Sequence, residues 1–402
     1  MMEFNFRTTK KALDSEGADG MKRQENRIRL LDVLRGFAII GTLGTNIWLF
    51  AQPGNIMTVF SNANWWESLD SFLQAFLSVF VNGKFLSLLT IMFGIGLELK
   101  YRKAAREGLP WIRLYLWTMF LLFLDGLLHF IFVFEYDILM SYAITGMIVA
   151  FIIRYREEMM KKTMIVSAII HLTGVMLLSI AWFFLIKEAS FLNEMARMSQ
   201  ETSNLYSNQS YWQQVQFRIR DFWGLRVEAI LIIFMNITLY ILGIRLFRAG
   251  AFSNNENGQR LRKKLMIYGL GIGIPLNLLT LVPGGYFDIA SRYVFAPILA
   301  LGYIGLFAWV LKIKIAPWLI NRFESIGKTA LSCYILQNIV ASIIFYGWGA
   351  GVAPLSSAYT VIVYWILITI VMMITAELFM KYLGTGPLEY LWRKLSYSPF
   401  KK

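Results

Sequence analysis

Two residue pairs in this 402-residue chain have the types and spacing to do chemistry, and both sit in apolar sequence. Leu124-Asp125-Gly126-Leu127-Leu128-His129 puts Asp125 and His129 at i and i+4, on one face of a helix. A carboxylate that orients an imidazole serves general-base catalysis and proton relay alike, and the same pair also reads as a satisfied buried contact. Arg29-Leu30-Leu31-Asp32-Val33-Leu34-Arg35-Gly36 puts Asp32 and Arg35 one turn apart. They read either as a helix-end ion pair or as an arginine that faces a cleft and holds a phosphate or anionic headgroup with its planar donors.

Other polar residues stand where an apolar run should exclude them. Lys84, in Val81-Asn82-Gly83-Lys84-Phe85, calls for an acidic or carbonyl partner, because an unpaired ammonium deep in a bilayer is costly. Asn46 either joins helices by hydrogen bonding or lines a polar cavity. Glu135-Tyr136-Asp137 forms a short turn, and with Arg226, Glu228, Asp288 and Arg292 it is expected to line an outward-opening cup. Glu324 with Lys328, Glu377 with Lys381 and Glu389 with Arg393 have i, i+4 spacing and read as ordinary interface pairs. With two histidines in the chain no metal site is expected, and His171 reads as a packed residue. The single cysteine, Cys333, lies in an apolar segment, so neither an intramolecular disulfide nor thiol chemistry is expected.

The elements that must position these residues follow from composition. Hydrophobic residues make up 57% of the chain and charged residues only 16%, which is outside the range of soluble domains and matches a chain whose solvent is the lipid bilayer. The net charge of +14 would suit nucleic acid, but the basic residues stand in short clusters between apolar runs, which is the pattern of membrane topology; no nucleic-acid partner is expected. A bilayer core needs about 20 apolar residues per helical crossing. That criterion places spans near 31–51, 70–99, 111–134, 138–153, 163–186, 225–247, 265–283, 292–311, 329–346 and 358–380. With alternate sides assigned, most of the 39 Lys and Arg residues fall in the inner segments, as the positive-inside rule requires. Dividing 70–99 at Gly83 would invert every later loop, so that stretch is expected to cross once, tilted or kinked.

The expected fold is therefore all-α: a polytopic transmembrane helical bundle of about ten helices with both termini cytoplasmic, in the cell (plasma) membrane. A polar basic cytoplasmic tail (1–30) precedes an N-terminal six-helix membrane region (31–247) with an interfacial outer loop at 187–224. A cytoplasmic loop (248–264), a C-terminal four-helix region (265–385) and a cytoplasmic tail (386–402) follow. The basic N-terminal stretch has no apolar core and is not a cleavable signal; because Met21 opens a compact Lys22-Arg23 stretch, residues 1–20 read as a polar tail or as residues upstream of the true start.

Collectively these motifs resemble the YeiB-like family of bacterial multi-pass inner-membrane proteins, whose C-terminal half is a domain of unknown function. The resemblance rests on Arg29 through Ala38 with Gly41 and Asn46, Phe85 through Gly96, and Gly126 through His129 with Tyr136-Asp137-Ile138-Leu139. It continues through Leu242-Gly243 with Arg248-Ala249-Gly250, Ile326 through Ser332 with Tyr334, and Gly386 through Arg393. It implies an unknown-function domain at about 225–395. Lys328 stands where the family usually has arginine, which makes bidentate anion binding there less favourable.

The first-helix pattern Leu31-Asp32-Val33-Leu34-Arg35-Gly36 is distantly similar to that of transmembrane acyltransferases, including the lysosomal heparan-sulfate acetyltransferase. That similarity implies an acyl donor such as acyl-coenzyme A entering from the cytoplasm, with Arg35 on its phosphates. Those enzymes have a histidine near the start of the second helix; here Asn62 through Asp70 contains none, so His129, oriented by Asp125, must act as the base while Lys84 and Asp137 position substrate. The alternative is a carrier in which Lys84, Asp125, His129 and Asp137 relay charge. A lipid-binding protein without turnover is a third reading. A cavity joining Arg35 to His129 would favour acyl transfer, and two sealed clusters would count against it.

Overall fold

In the computed structural model, residues 28–55 and 64–397 are described, and among them there are helices and no strands. The N-terminal basic tail up to residue 27, the stretch 56–63 with Asn62 and Ala63, and residues 398–402 lie outside the described residues. The helices are α1 (Arg29–Ala51), α2 (Leu69–Phe80), α3 (Lys84–Arg106), α4 (Trp111–Phe132), α5 (Leu139–Ile152), α6 (Glu157–Leu185), α7 (Ala189–Asn208) and α8 (Tyr211–Arg220). Then come α9 (Ile233–Arg248), α10 (Glu256–Leu278), α11 (Ala296–Ile313), α12 (Pro317–Lys328), α13 (Ala330–Phe345), α14 (Ala358–Leu383) and α15 (Pro387–Tyr397). The protein is an all-α helical bundle whose apolar helices are those of a membrane protein.

Among the described residues, seven stretches are long and apolar enough to cross a membrane, and the α12–α13 pair, bent by 94°, makes an eighth if it counts as one crossing. The remaining expected crossings come out short. The one near 138–153 is the 14-residue α5. The one near 225–247 breaks into single turns at Phe222–Leu225 and Val227–Leu231 before the 16-residue α9. Neither reaches the length of a straight crossing by itself. The stretch Leu69–Arg106 passes the length and composition test as one unit, interrupted where Gly83 adopts φ +77°, a conformation glycine reaches without a Cβ penalty.

Burial sorts the bundle into centre and rim. The apolar stretch of α1 is 83% buried and forms the axis, whereas that of α6 is 11% buried and presents its apolar side chains outward, as a lipid-facing helix does. Small residues bring the central backbones together. Gly36 of α1 and Gly327 of α12 face each other so closely that a methyl on either would overlap a backbone carbonyl oxygen of the other helix, Phe323 or Asp32. Tight packing also joins α3 to α9 and α10 to α11. The outer loop expected at 187–224 is two helices, α7 and α8. Ser210 opens α8 with a capping box: its hydroxyl accepts from the Gln213 N–H while Gln213 accepts from the Ser210 backbone.

Candidate functional site

The turn between α4 and α5 folds back on α4 because Asp137 caps the start of α5. Its Oδ1 accepts from the Leu139 N–H at 2.9 Å and from the Met140 N–H at 3.3 Å. The other oxygen, Oδ2, lies 2.8 Å from His129 Nδ1 and 3.5 Å from the Tyr334 hydroxyl. On the far side of the ring, Asn338 Nδ2 lies 3.2 Å from His129 Nε2, and Asn46 Nδ2 is 3.5 Å from Asn338 Oδ1. Four segments thus meet in one buried chain: Asp137, His129, Asn338, Asn46.

This arrangement selects a tautomer. An ionised carboxylate only accepts, so in the neutral ring Nδ1 carries the proton and Nε2 keeps its lone pair, which accepts from the Asn338 amide. That is the form in which an imidazole acts as a general base through Nε2.

The expected contact between Asp125 and His129 is not formed. The i, i+4 spacing puts both on one side of α4, but Asp137 takes the imidazole nitrogen, and Asp125 accepts instead from the indole N–H of Trp392 on α15. The turn brings a carboxylate eight residues away closer to the ring than the one four residues away along a rigid helix.

Of the residues expected to line a cup, Tyr136, Asp137, Arg226, Glu228 and Arg292 come together beside His129, whereas Glu135 and Asp288 do not line the cavity there. A cavity of about 50 Å³ is lined by Thr42, Asn46, Asp137, Arg226, Glu228 and Arg292, among others. Arg226 donates to the Asp137 carbonyl at 2.7 Å and to the Glu135 carbonyl, so it holds the turn that carries Asp137. Its guanidinium also lies 4.2 Å from the Phe130 ring centroid, and its buried Nε has no partner among the described residues. Arg292 pairs with Glu228 at 2.8 Å; the helical spacing of Asp288 and Arg292 does not produce a pair between them. Glu135 turns away from the cavity to accept from the Tyr206 hydroxyl at 2.7 Å under the cap formed by α7 and α8. Burial pushes its carboxyl above the usual range, with Arg218 acting in the opposite direction.

Lys84 is buried and donates to the Ser78 carbonyl at 2.7 Å, which is the carbonyl partner expected for it. The Ser78 hydroxyl lies 3.4 Å from that of Thr280, which donates to Asp288 at 2.5 Å. Lys84 thus belongs to a cluster at the break between α2 and α3 and does not line the cavity.

At the end of the bundle where α1 begins, Asp32 and Arg35 pair at 3.1 Å, and Arg35 also donates to the Gly327 carbonyl at 3.2 Å. Arg29 and Lys328 both pair with Glu324, at 2.7 and 2.6 Å, so this cluster ties α1 to α12. Of the three expected i, i+4 pairs, Glu324–Lys328 forms. Glu377 pairs with Arg322 instead, and Glu389 accepts from the Leu331 and Ser332 N–H groups at the start of α13. His171 sits 3.0 Å from the Tyr293 carbonyl. The small cavity and a large cleft at the basic end have no lining residue in common, and Arg35 and His129 line neither, so among the described residues neither cavity joins the two.

Sequence reasoning gave no role to Asn338 or Trp392. The available signal for Asn338 was the one that marked Asn46: an amide inside an apolar helix.

The family profile described as "Protein of unknown function (DUF418)" matches residues 246–399. The chain is 24% identical over 385 residues to the "Uncharacterized protein YxaH" of Bacillus subtilis, covering 92% of this chain and 94% of that protein. It is 24% identical over 386 residues to the "Uncharacterized protein YeiB" of Escherichia coli, covering 91% and 95%. The "Uncharacterized 39.9 kDa protein in amylase 3'region" of Bacillus acidopullulyticus is 24% identical over 400 residues, covering 93% of this chain and 95% of that protein. The match of the C-terminal part to the profile of unknown function, with end-to-end similarity to YxaH and YeiB, supports placing the chain with the YeiB-like proteins.

Proposed function

We propose that this is an enzyme of the plasma membrane that passes an acyl group from a cytoplasmic donor of acyl-coenzyme A type to a hydroxyl on the outer side, with both chain termini in the cytoplasm. The observation that carries this reading is His129 held between Asp137 and Asn338, with Asp137 and Asn46 in the wall of the small cavity. An acceptor hydroxyl that displaces the Asn338 amide gives its proton to His129 Nε2 as its oxygen attacks the acyl carbon. The thioester C–S bond breaks, and the imidazolium returns the proton to the leaving thiolate. A general base of this kind supplies on the order of 10²–10⁴ in rate. Arg35, paired with Asp32 at the opposite end, has donors left over for an anionic group of the donor.

The test is thiol release from acetyl-coenzyme A by the protein in proteoliposomes. His129→Ala should abolish release while the folded protein stays in the membrane; undiminished release by that variant rejects the assignment.

A second reading, a carrier, is favoured by the separation of the two cavities, which counts against acyl transfer between Arg35 and His129, and by helix interruptions beside the buried Lys84 and the partly buried Arg292. In a carrier, Lys84, Asp137 and His129 would relay charge as the bundle opens to either side. Solute flux without thiol release would select it.

A further inference from the structure

The basic end of the bundle opens into a cleft of about 1860 Å³, far larger than the cavity beside His129. Five stretches of chain build its walls: the start of α1, the ends of α3 and α9, the start of α10 and the end of α11. Among the described residues, seven basic side chains line it against one carboxylate, Glu256. Four of the seven are already engaged. Arg29 pairs with Glu324, Arg102 with Glu98 and Arg260 with Glu256, while Arg262 donates to the Ala251 carbonyl. The other three, Arg106, Lys263 and Lys312, come from three different helices and have no partner among the described residues. Between the cations the lining is apolar and aromatic, with Tyr101, Phe247, Phe252 and Trp309.

The positive-inside rule accounts for basic residues at this end but not for their convergence. Elsewhere on α9 and α12, Arg245 and Lys328 are neutralised by carboxylates at 2.6 Å. Unpaired cations meeting over an aromatic floor form a site for a multiply charged anion with an apolar part attached.

We propose that this cleft binds a phosphate-bearing amphiphile, with phosphate oxygens on Arg106, Lys263 and Lys312 and the apolar portion against Tyr101, Phe247 and Trp309. Two sources supply that chemistry, an anionic phospholipid of the adjoining leaflet and a soluble phosphoester. The site shares no lining residue with the small cavity that Asp137 lines, so it stands whether or not acyl transfer occurs.

The experiment measures binding of two probes to the full chain in neutral detergent: inorganic pyrophosphate by calorimetry, and phosphatidylglycerol against phosphatidylcholine by native mass spectrometry. The triple variant Arg106→Ala/Lys263→Ala/Lys312→Ala removes only exposed, unpaired side chains, and circular dichroism with size exclusion checks its fold; Lys312→Glu is the fallback if the triple variant is not recovered. At least tenfold weaker binding by the variant is expected, steeply salt-dependent in the wild type. Loss of pyrophosphate binding identifies the soluble source, and loss of phosphatidylglycerol preference identifies the lipid. A wild type that binds neither probe, or a variant that binds like the wild type, overturns the proposal. His129→Ala, which bears only on the transfer reading, should leave both probes bound.

Discussion

Replacing Asp137 by Asn and by Ala separates its two jobs. Asp137→Asn would keep an oxygen for the Leu139 and Met140 N–H groups, so the cap on α5 survives. The new amide donates toward His129 Nδ1, which must then become the acceptor, and the ring proton moves to Nε2. The loss is one charge-assisted bond, a cost of about 1–2 kcal/mol. The lone pair, however, now points away from the Asn338 side, and transfer should fall on the order of 10²–10⁴. Asp137→Ala would lose the cap as well, about 1 kcal/mol, and leave a buried ring N–H unpaired at about 1–3 kcal/mol, a total of about 2–4 kcal/mol. Stability would be read from unfolding in mixed micelles and transfer from thiol release. Equal destabilisation by the two variants refutes the dual role, and wild-type turnover by Asp137→Asn refutes Nε2 as the base.

Four other perturbations test the packing. Gly36→Ala should force α1 from α12 and cost at least about 1–3 kcal/mol, seen as a lowered unfolding midpoint, because the added methyl meets the Phe323 carbonyl. Arg292→Ala should lose about 1 kcal/mol, because Glu228 is partly exposed and keeps the Tyr293 hydroxyl as a donor, and Arg292→Ala/Glu228→Ala should recover part of it, a coupling measurable in a double-mutant cycle. Trp392→Phe removes the indole that Asp125 accepts from, so protease digestion should clip α15 faster than in the wild type while the rest of the bundle stays protected. Cys333 is fully buried and should resist maleimide until the protein is denatured; rapid labelling of folded protein would show that α13 is packed otherwise.

The all-α membrane character of this protein was legible in the sequence because apolar run length and composition report directly on solvent and need no partner. The same is true of short-range pairs along one helix, such as Asp32 with Arg35 and Glu324 with Lys328, and of the need for a carbonyl or acid near Lys84. Contacts between segments were not legible in that way. Spacing alone offered Asp125 to His129, and the turn after α4 supplied Asp137 instead, because a flexible connection can bring a carboxylate to a ring nitrogen that a rigid helix leaves at arm's length. Asn338, more than two hundred residues from His129, could be found only by folding α13 beside α4. Likewise the charge pattern placed basic residues at one end, but only the packing of α3, α10 and α11 decided that Arg106, Lys263 and Lys312 face a common cleft in which the carboxylate of Glu256 is taken by Arg260. Local periodicity encodes which face of a helix a residue occupies, and tertiary packing determines what that face meets.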